Sequence, residues 1–219
     1  MSLLDFARGP GLQWALLIFT FGICWRLIGP FILPSRIKLS RSRCAKSKTW
    51  WLGLKAIETR SWPLEEFHRV IWFQHYSGYI WHISFFIVLL FFQPHIAFFE
   101  SLTGLSWPGL PNDVILVVGA IAVATLIALL ARRLSHPVLR RISNADDYIS
   151  WLVTILPLIT GFLAYAHVGA RYETLLALHI LSVELLLIWF PFGKLMHAIL
   201  VFPSRFQTGA SFGRRGVRA

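Results

Sequence analysis

An all-helical integral membrane protein with five spanning helices is the fold class this sequence predicts, and three observations predict it. Of the 219 residues, 56% are hydrophobic and 14% charged, against roughly 25% charged in ordinary soluble domains. The apolar residues fall into runs near the ~20 residues that a helix needs to cross a bilayer core. Lys and Arg, 21 against 10 Asp and Glu, collect between these runs on alternate connections. A net charge of +11 would also suit a nucleic-acid binder. Charge confined to the connections of apolar segments instead orients membrane proteins, which sets nucleic acid aside.

The first span runs from about Gly11 to Leu33, with Arg26 near its far end, able to snorkel to the interface. Asp5 and Arg8 precede Gly9-Pro10. The run behind them is long enough to span, so the N-terminus does not read as a cleavable signal. Residues 35–60 carry Arg36, Lys38, Arg41, Arg43, Lys46, Lys48, Lys55 and Arg60 against Glu58. Within them KTWWLGLKAIETR sets Trp50, Trp51, Leu52, Leu54 and Ile57 among charges. The stretch 35–62 therefore reads either as a helix lying in the membrane interface or as a solvated loop. The second span lies between about Arg69 and Phe99, is rich in aromatics, and exceeds the hydrocarbon thickness, so it tilts or projects.

The third span runs from about Asp113 to Ala131 and is followed by Arg132, Arg133, Arg140 and Arg141. The fourth runs from about Tyr148 to Ala166. Asn144 before it is a helix start, because its side chain can accept an orphan backbone N–H. The fifth runs from about Thr174 to Phe202. Residues 1–205 thus form the membrane domain, and 206–219 read as a basic flexible tail. The connections 35–60 and 132–141 and the tail are basic, whereas 93–112 has no Lys or Arg and 167–173 only Arg171. This bias puts the N-terminus outside and the C-terminus in the cytoplasm, which requires an odd number of crossings.

The two cysteines, Cys24 and Cys44, lie in an apolar run and a basic loop, and no Cys-x-x-Cys-His or four-cysteine cluster exists. Covalent c-type haem and a resident iron–sulfur centre are excluded. The eight histidines carry more information. His68, His136 and His167 have surface positions, while His75, His82, His95, His179 and His197 lie at or near membrane depth. Ionisable groups in lipid are costly and usually have a partner or a task.

His179 and His197 are 18 residues apart. On one continuous helix that is about five whole turns and ~27 Å of rise, placing both rings on one face at different depths. One metal ion cannot bridge that gap; two cofactors stacked across the bilayer can, each with a second axial ligand from a facing helix. The second span, antiparallel to the fifth, supplies His82 and His95, 13 residues or ~19.5 Å apart. Antiparallel order pairs His82 with His197 and His95 with His179. An angular mismatch of roughly 140° between His82 and His95 must be absorbed by tilt, by distortion near Pro94 or by unequal cofactor positions. His75 is the substitute for His82. Gly78 and Gly161 leave room for a flat haem or for close helix packing. Lys194 lies within reach of a haem propionate, and Glu184 either pairs with a polar neighbour, moves protons or stays protonated.

Four stretches carry a family resemblance: LLDFARGPGLQWALLIFTFGICWR, HISFFIVLLFFQPHIAFFESLTGLSWPGLP, ADDYISWLVTILPLITGFLAYAH and LHILSVELLLIWFPFGKLMH. Together they make residues 3–205 resemble the gamma-subunit family of respiratory nitrate reductases. The likeness is nearer to the branch with the membrane cytochrome b of heterodisulfide reductases and the cytochrome b components of sulfate-reducer transmembrane complexes. The 13-residue histidine interval departs from the nitrate reductase pattern and favours that branch. The resemblance implies two haem b groups, each held by two of His82, His95, His179 and His197. It implies exchange of electrons with menaquinone or ubiquinone in a bacterial or archaeal cytoplasmic membrane. An iron–sulfur partner subunit, docked at the cytoplasmic face, would deliver or accept them. Glu100, Arg171, Tyr172 and Glu173 are then the candidates for the quinone pocket. The competing expectations are a small proton or metal transporter and a haem-free scaffold subunit.

Overall fold

Apolar length decides which helices can cross a bilayer, and breaks in helical backbone decide where histidines point. The computed structural model describes residues 2–32, 41–63 and 65–217, the side chains of residues 30 and 31 excepted. The expected end of the first span at Leu33 and the basic residues Arg36 and Lys38 lie outside them.

The first span starts earlier than the apolar run suggested. Helix α1 (Leu3–Phe6) is opened by a capping box, in which Asp5 N donates to Ser2 Oγ at 3.1 Å and Ser2 N to Asp5 Oδ2 at 2.9 Å. A π-helical turn, Ala7–Gly11, joins it to α2 (Leu12–Ile32), with Gly9 outside the helical region at φ −111°, ψ −105°. Pro10 has no N–H to continue the ladder, so the helix kinks there instead of beginning. The continuous candidate span is Leu3–Gly29.

A separate helix, α3 (Lys46–Thr59), occupies the basic connection. The expected second span is two helices, α4 (Glu65–Phe91) and α5 (Gln93–Thr103), bent by 63°. Pro94 removes a ladder donor just past the break. The orphan carbonyls at the end of α4 are taken elsewhere: Trp107 Nε1 donates to Leu90 O at 2.6 Å and Leu110 N to Phe91 O at 2.9 Å. Helix α6 (Asn112–Ser135) is followed by the short α7 (Pro137–Ile142) and by α8 (Ala145–Ala166). Asn144 caps α8 in a second capping box with Asp147.

Helix α9 (Tyr172–Trp189) ends well before Phe202, where the fifth span was expected to end. Pro191 and Gly193 follow, then a 3₁₀ turn, Lys194–Met196, and a new helix, α10 (His197–Arg214). The stretch expected to be a flexible tail from residue 206 is therefore helical through Arg214. It is held because α10 packs antiparallel on α3: Phe206 meets Gly53, Gly209 meets Ala56, and Gly213 meets Leu52.

Among the described residues four helices are long and apolar enough to span a membrane, or five with α4–α5 counted as one broken span. The chain is an all-helical, multi-pass membrane protein. The spans pack through small residues and interhelical hydrogen bonds, since burial of apolar surface drives nothing in lipid. Gly22 admits Pro191, and Gly119 admits the ring of Phe162. Ala122, Leu126, Ile155 and Leu158 form the α6–α8 core beneath Trp81 and Trp151. Trp151 Nε1 donates to Leu126 O at 2.8 Å, and Trp189 Nε1 to Ser150 Oγ at 2.9 Å.

Candidate functional site

The four histidines come together as two pairs. The rings of His95 and His179 have centroids 6.1 Å apart and planes inclined by 14°. Those of His82 and His197 are 6.0 Å apart with planes at 88°. Centroids 4.5–7 Å apart are ordinary for packed aromatic rings, so the distance alone decides little. The nitrogen accounting decides more.

Every one of the four Nδ1 atoms is engaged by the protein. His82 Nδ1 lies 2.6 Å from Gly78 O. His95 Nδ1 lies 3.1 Å from Val88 O, a carbonyl in the last turn of α4 that also accepts from Phe92 N at 3.3 Å. His197 Nδ1 lies 2.8 Å from Lys194 O, in the 3₁₀ turn. These acceptors can only receive a proton, so each Nδ1–H donates. His179 Nδ1 lies 3.3 Å from Thr160 Oγ1, whose own hydroxyl donates to Leu156 O at 2.8 Å and so keeps a lone pair for the imidazole. The four tautomers are thereby set with the Nε2 lone pairs unclaimed by the backbone, the arrangement second-shell acceptors impose on metal-binding imidazoles.

Sequence spacing implied different geometry for these pairs. His197 is not on the fifth span: it is the first residue of α10, beyond the Pro191–Gly193 break. The reading of five whole turns along one helix does not apply. His95 is not on α4 but in the first turn of α5, so the break removes the angular mismatch. The spacing of the pairs follows from the carbonyls that hold them. Gly78 and Val88 are ten residues apart on α4, roughly 15 Å of rise.

Gly161 supports the His179 ring, since a Cβ there would lie 3.2 Å from Cε1; its missing side chain makes room for the imidazole. Gly78 faces open space, with nothing within 4 Å of where its Cβ would be. His75 is not in either pair. Its ring lies among Trp62, Tyr76 and Tyr79, the last at 4.8 Å, and its buried Nε2 has no partner.

The other candidates are dispersed. Lys194 Nζ is bound to Asp147 Oδ2 at 2.6 Å and Asn144 Oδ1 at 3.2 Å. Asp147 also receives Arg133 at 3.0 Å. Glu184 is 5% exposed, and its Oε1 has no partner. The carboxyl lies against Gly11, where a Cβ would come within 2.7 Å of Oε2. Arg171 pairs with Glu173 at 3.5 Å on an exposed surface, and Tyr172 stacks on His167 at 4.8 Å. Glu100 caps the end of α5 through its carbonyl, and no contact joins its carboxylate to that group among the described residues.

Spacing offered no sign of Thr160, Trp81 or Arg132. Thr160 also touches Ser182 Oγ at 2.9 Å, joining α8 to α9 at the His179 level. Trp81, whose ring lies 4.5 Å from that of His82, buries an Nε1 without a partner. Arg132 buries an unpartnered Nε while its guanidinium sits 5.0 Å over Phe73. A hydroxyl inside an apolar span beside a glycine was the one available signal, at Thr160-Gly161.

A protein from Nitratidesulfovibrio vulgaris, whose name says only "Protein", is 32% identical to this chain over 223 residues, covering 96% of this chain and 94% of its own length. No family model matches the chain, and no solved structure matches it.

Proposed function

The chain belongs to one family with that Nitratidesulfovibrio vulgaris protein, and we propose that it is a di-haem b-type cytochrome, the membrane subunit of a respiratory oxidoreductase. The observation that carries this reading is the pairing itself: two sets of facing imidazoles whose Nδ1 atoms are all occupied.

The residues fit the group. Each pair would hold the metal through its two Nε2 atoms, which no backbone group claims, and the centroid separations of 6.0 and 6.1 Å are compatible with that. Among the described residues no three His, Cys, Asp or Glu side chains come together. A bare ion at either pair would lack ligands, whereas haem would need only the two imidazoles from the protein. Gly78 leaves space on the His82 face. Trp81 Nε1 and Arg132 Nε are buried donors that an anionic substituent would satisfy.

Haem, when bound, supplies one-electron chemistry. The chain supplies the rest: Gly78 O, Val88 O, Lys194 O and Thr160 Oγ1 hold each imidazole as a neutral ligand and fix its plane. The roughly 15 Å step between the pairs sets two redox centres at different depths. The basic end of the bundle then favours an iron–sulfur partner subunit by complementary charge, with menaquinone or ubiquinone as the other electron partner. Under this reading the basic end faces the cytoplasm of a bacterial or archaeal cell, with the N-terminus outside. Quinone contact at Glu100, Arg171, Tyr172 or Glu173 is part of the proposal.

A transporter reading would draw on the broken α4–α5 helix, since transporters often bind ions at such breaks. Here the two carbonyls that the break frees, Leu90 O and Phe91 O, already accept from Trp107 Nε1 and Leu110 N, so the protein's own donors close the break. The test is optical. Reduced-minus-oxidised absorbance of the purified chain shows b-type α and Soret bands, and a pyridine haemochrome assay gives about two haems per chain. A colourless preparation reconstituted with hemin and still colourless overturns the reading.

A further inference from the structure

Helices α3 and α10 stand outside the spanning bundle yet are built as one unit. Their seam is lined by Gly53, Ala56, Gly209 and Gly213. Arg43 N donates to Arg214 O at 2.9 Å, and Arg60 lies over the ring of Phe212. The seam uses one face of α3 and leaves Trp51, Leu54, Lys55 and Glu58 lining a shallow open groove on another. Trp50, Trp51 and Trp62 are 60%, 62% and 63% exposed.

The unit is anchored to α4 at Tyr79. Trp62 stacks on Tyr79 of α4 at 5.9 Å, Tyr79 Oη donates to Ser61 O at 2.8 Å, and Arg205 of α10 donates to Ser61 Oγ at 2.8 Å. The same unit carries Lys46, Lys48 and Lys55 on α3, Arg205 on α10 and Arg215 at its C-cap. Glu58 is the one acidic residue in 41–60 and 197–217. Exposed indoles beside a span are the signature of the interface between headgroups and acyl chains, and clustered Lys and Arg there attract anionic lipid. A water-facing protein-docking surface would not need three half-exposed indoles at the span entrance.

We propose that the α3–α10 pair lies in the membrane interface and binds the anionic phospholipid headgroups of that leaflet. This stands independently of the haem reading. The test uses the full chain in nanodiscs, with Cys24 and Cys44 replaced by Ser and a nitroxide at Trp51→Cys. In discs of phosphatidylcholine and phosphatidylglycerol, the label is relaxed more by oxygen than by a water-soluble nickel chelate. Combined Lys46→Gln, Lys48→Gln and Lys55→Gln replacement, or discs of phosphatidylcholine alone, moves it towards the chelate. A label that favours the chelate in both lipid compositions overturns the proposal, as does one shielded only when an acidic protein is added. Should Trp51→Cys fail to fold, brominated phosphatidylglycerol replaces the label: it quenches tryptophan emission of the native chain more than brominated phosphatidylcholine does, and equal quenching by the two overturns the proposal.

Discussion

The two histidine pairs have the same composition and different construction. His95 and His179 are held within the spanning part of the molecule, in near-parallel planes, between a carbonyl at the end of α4 and the Thr160–Ser182 contact of α8 and α9. His82 and His197 are nearly perpendicular, and one of them opens a helix outside the bundle. His197 is exposed and is held through Lys194 O, in a turn that Asp147 fixes by accepting from Lys194 Nζ at 2.6 Å. One pair is therefore set by the packing of spans, the other by the junction between the bundle and the α3–α10 unit. If each pair holds a haem, as proposed, chemically equal imidazoles in such different settings should make two distinguishable centres.

The largest effect that would break this comparison is loss of a ligand. His179→Ala and His197→Ala are each expected to lower bound haem from about two per chain to about one, and to remove different centres. Electron paramagnetic resonance of the oxidised protein identifies which. Parallel imidazole planes split the iron orbitals and give a rhombic low-spin signal, whereas perpendicular planes leave them nearly degenerate and give a strongly anisotropic one. His179→Ala should abolish the rhombic signal and His197→Ala the anisotropic one. If both substitutions erase the same signal, the two-centre construction is wrong.

The next effect sharpens the comparison, because one of the four Nδ1 acceptors is a side chain. Thr160→Val removes the side-chain acceptor of the His179 N–H. Loss of such an outer-shell partner typically weakens a bound metal group about 10–100-fold. Haem retention at the parallel pair should fall by that order in a hemin competition assay, with the perpendicular pair unchanged. Gly161→Ala should act on the same pair more weakly. Its Cβ would lie 3.2 Å from His179 Cε1, a contact that a small ring shift relieves, so the rhombic signal should move without disappearing.

Much of this architecture was legible in the residues, for reasons that can be named. Apolar runs located the third and fourth spans, and Asn144 marked the start of α8 because its side chain accepts where the helix leaves donors orphaned. The order of histidines along antiparallel spans was enough to indicate which ring meets which. Their geometry was not legible, because periodicity assumes an unbroken helix. Pro191 and Gly193 carried the stop signal for α9, but the apolar run continues through Phe202 and hid it. The mismatch between His82 and His95 was itself a sign of the break at Phe92. Helix α10 lay beyond composition, since its small residues acquire meaning only against Gly53 and Ala56 of α3. The backbone carbonyls that orient three of the four imidazoles have no sequence signature.

The smallest expected effect tests the link between Asp147 and the perpendicular pair. The Asp147 side chain is 7% exposed; it accepts from Arg133 and Lys194 and closes the Asn144 capping box. Asp147→Asn keeps the size and one acceptor oxygen but removes the charge that both cations face. Because Lys194 is 47% exposed, solvent screening limits the loss of stability to about 1–2 kcal/mol, measured by denaturant titration in detergent. Lys194 O would then hold His197 less firmly, and the anisotropic signal should broaden while the rhombic one keeps its shape. An equal change in both signals would mean that the two pairs are mechanically one site. No change in either would mean that the 3₁₀ turn is held by the acceptors Asp146 Oδ1 and Asn144 Oδ1, and that Asp147 serves only the start of α8.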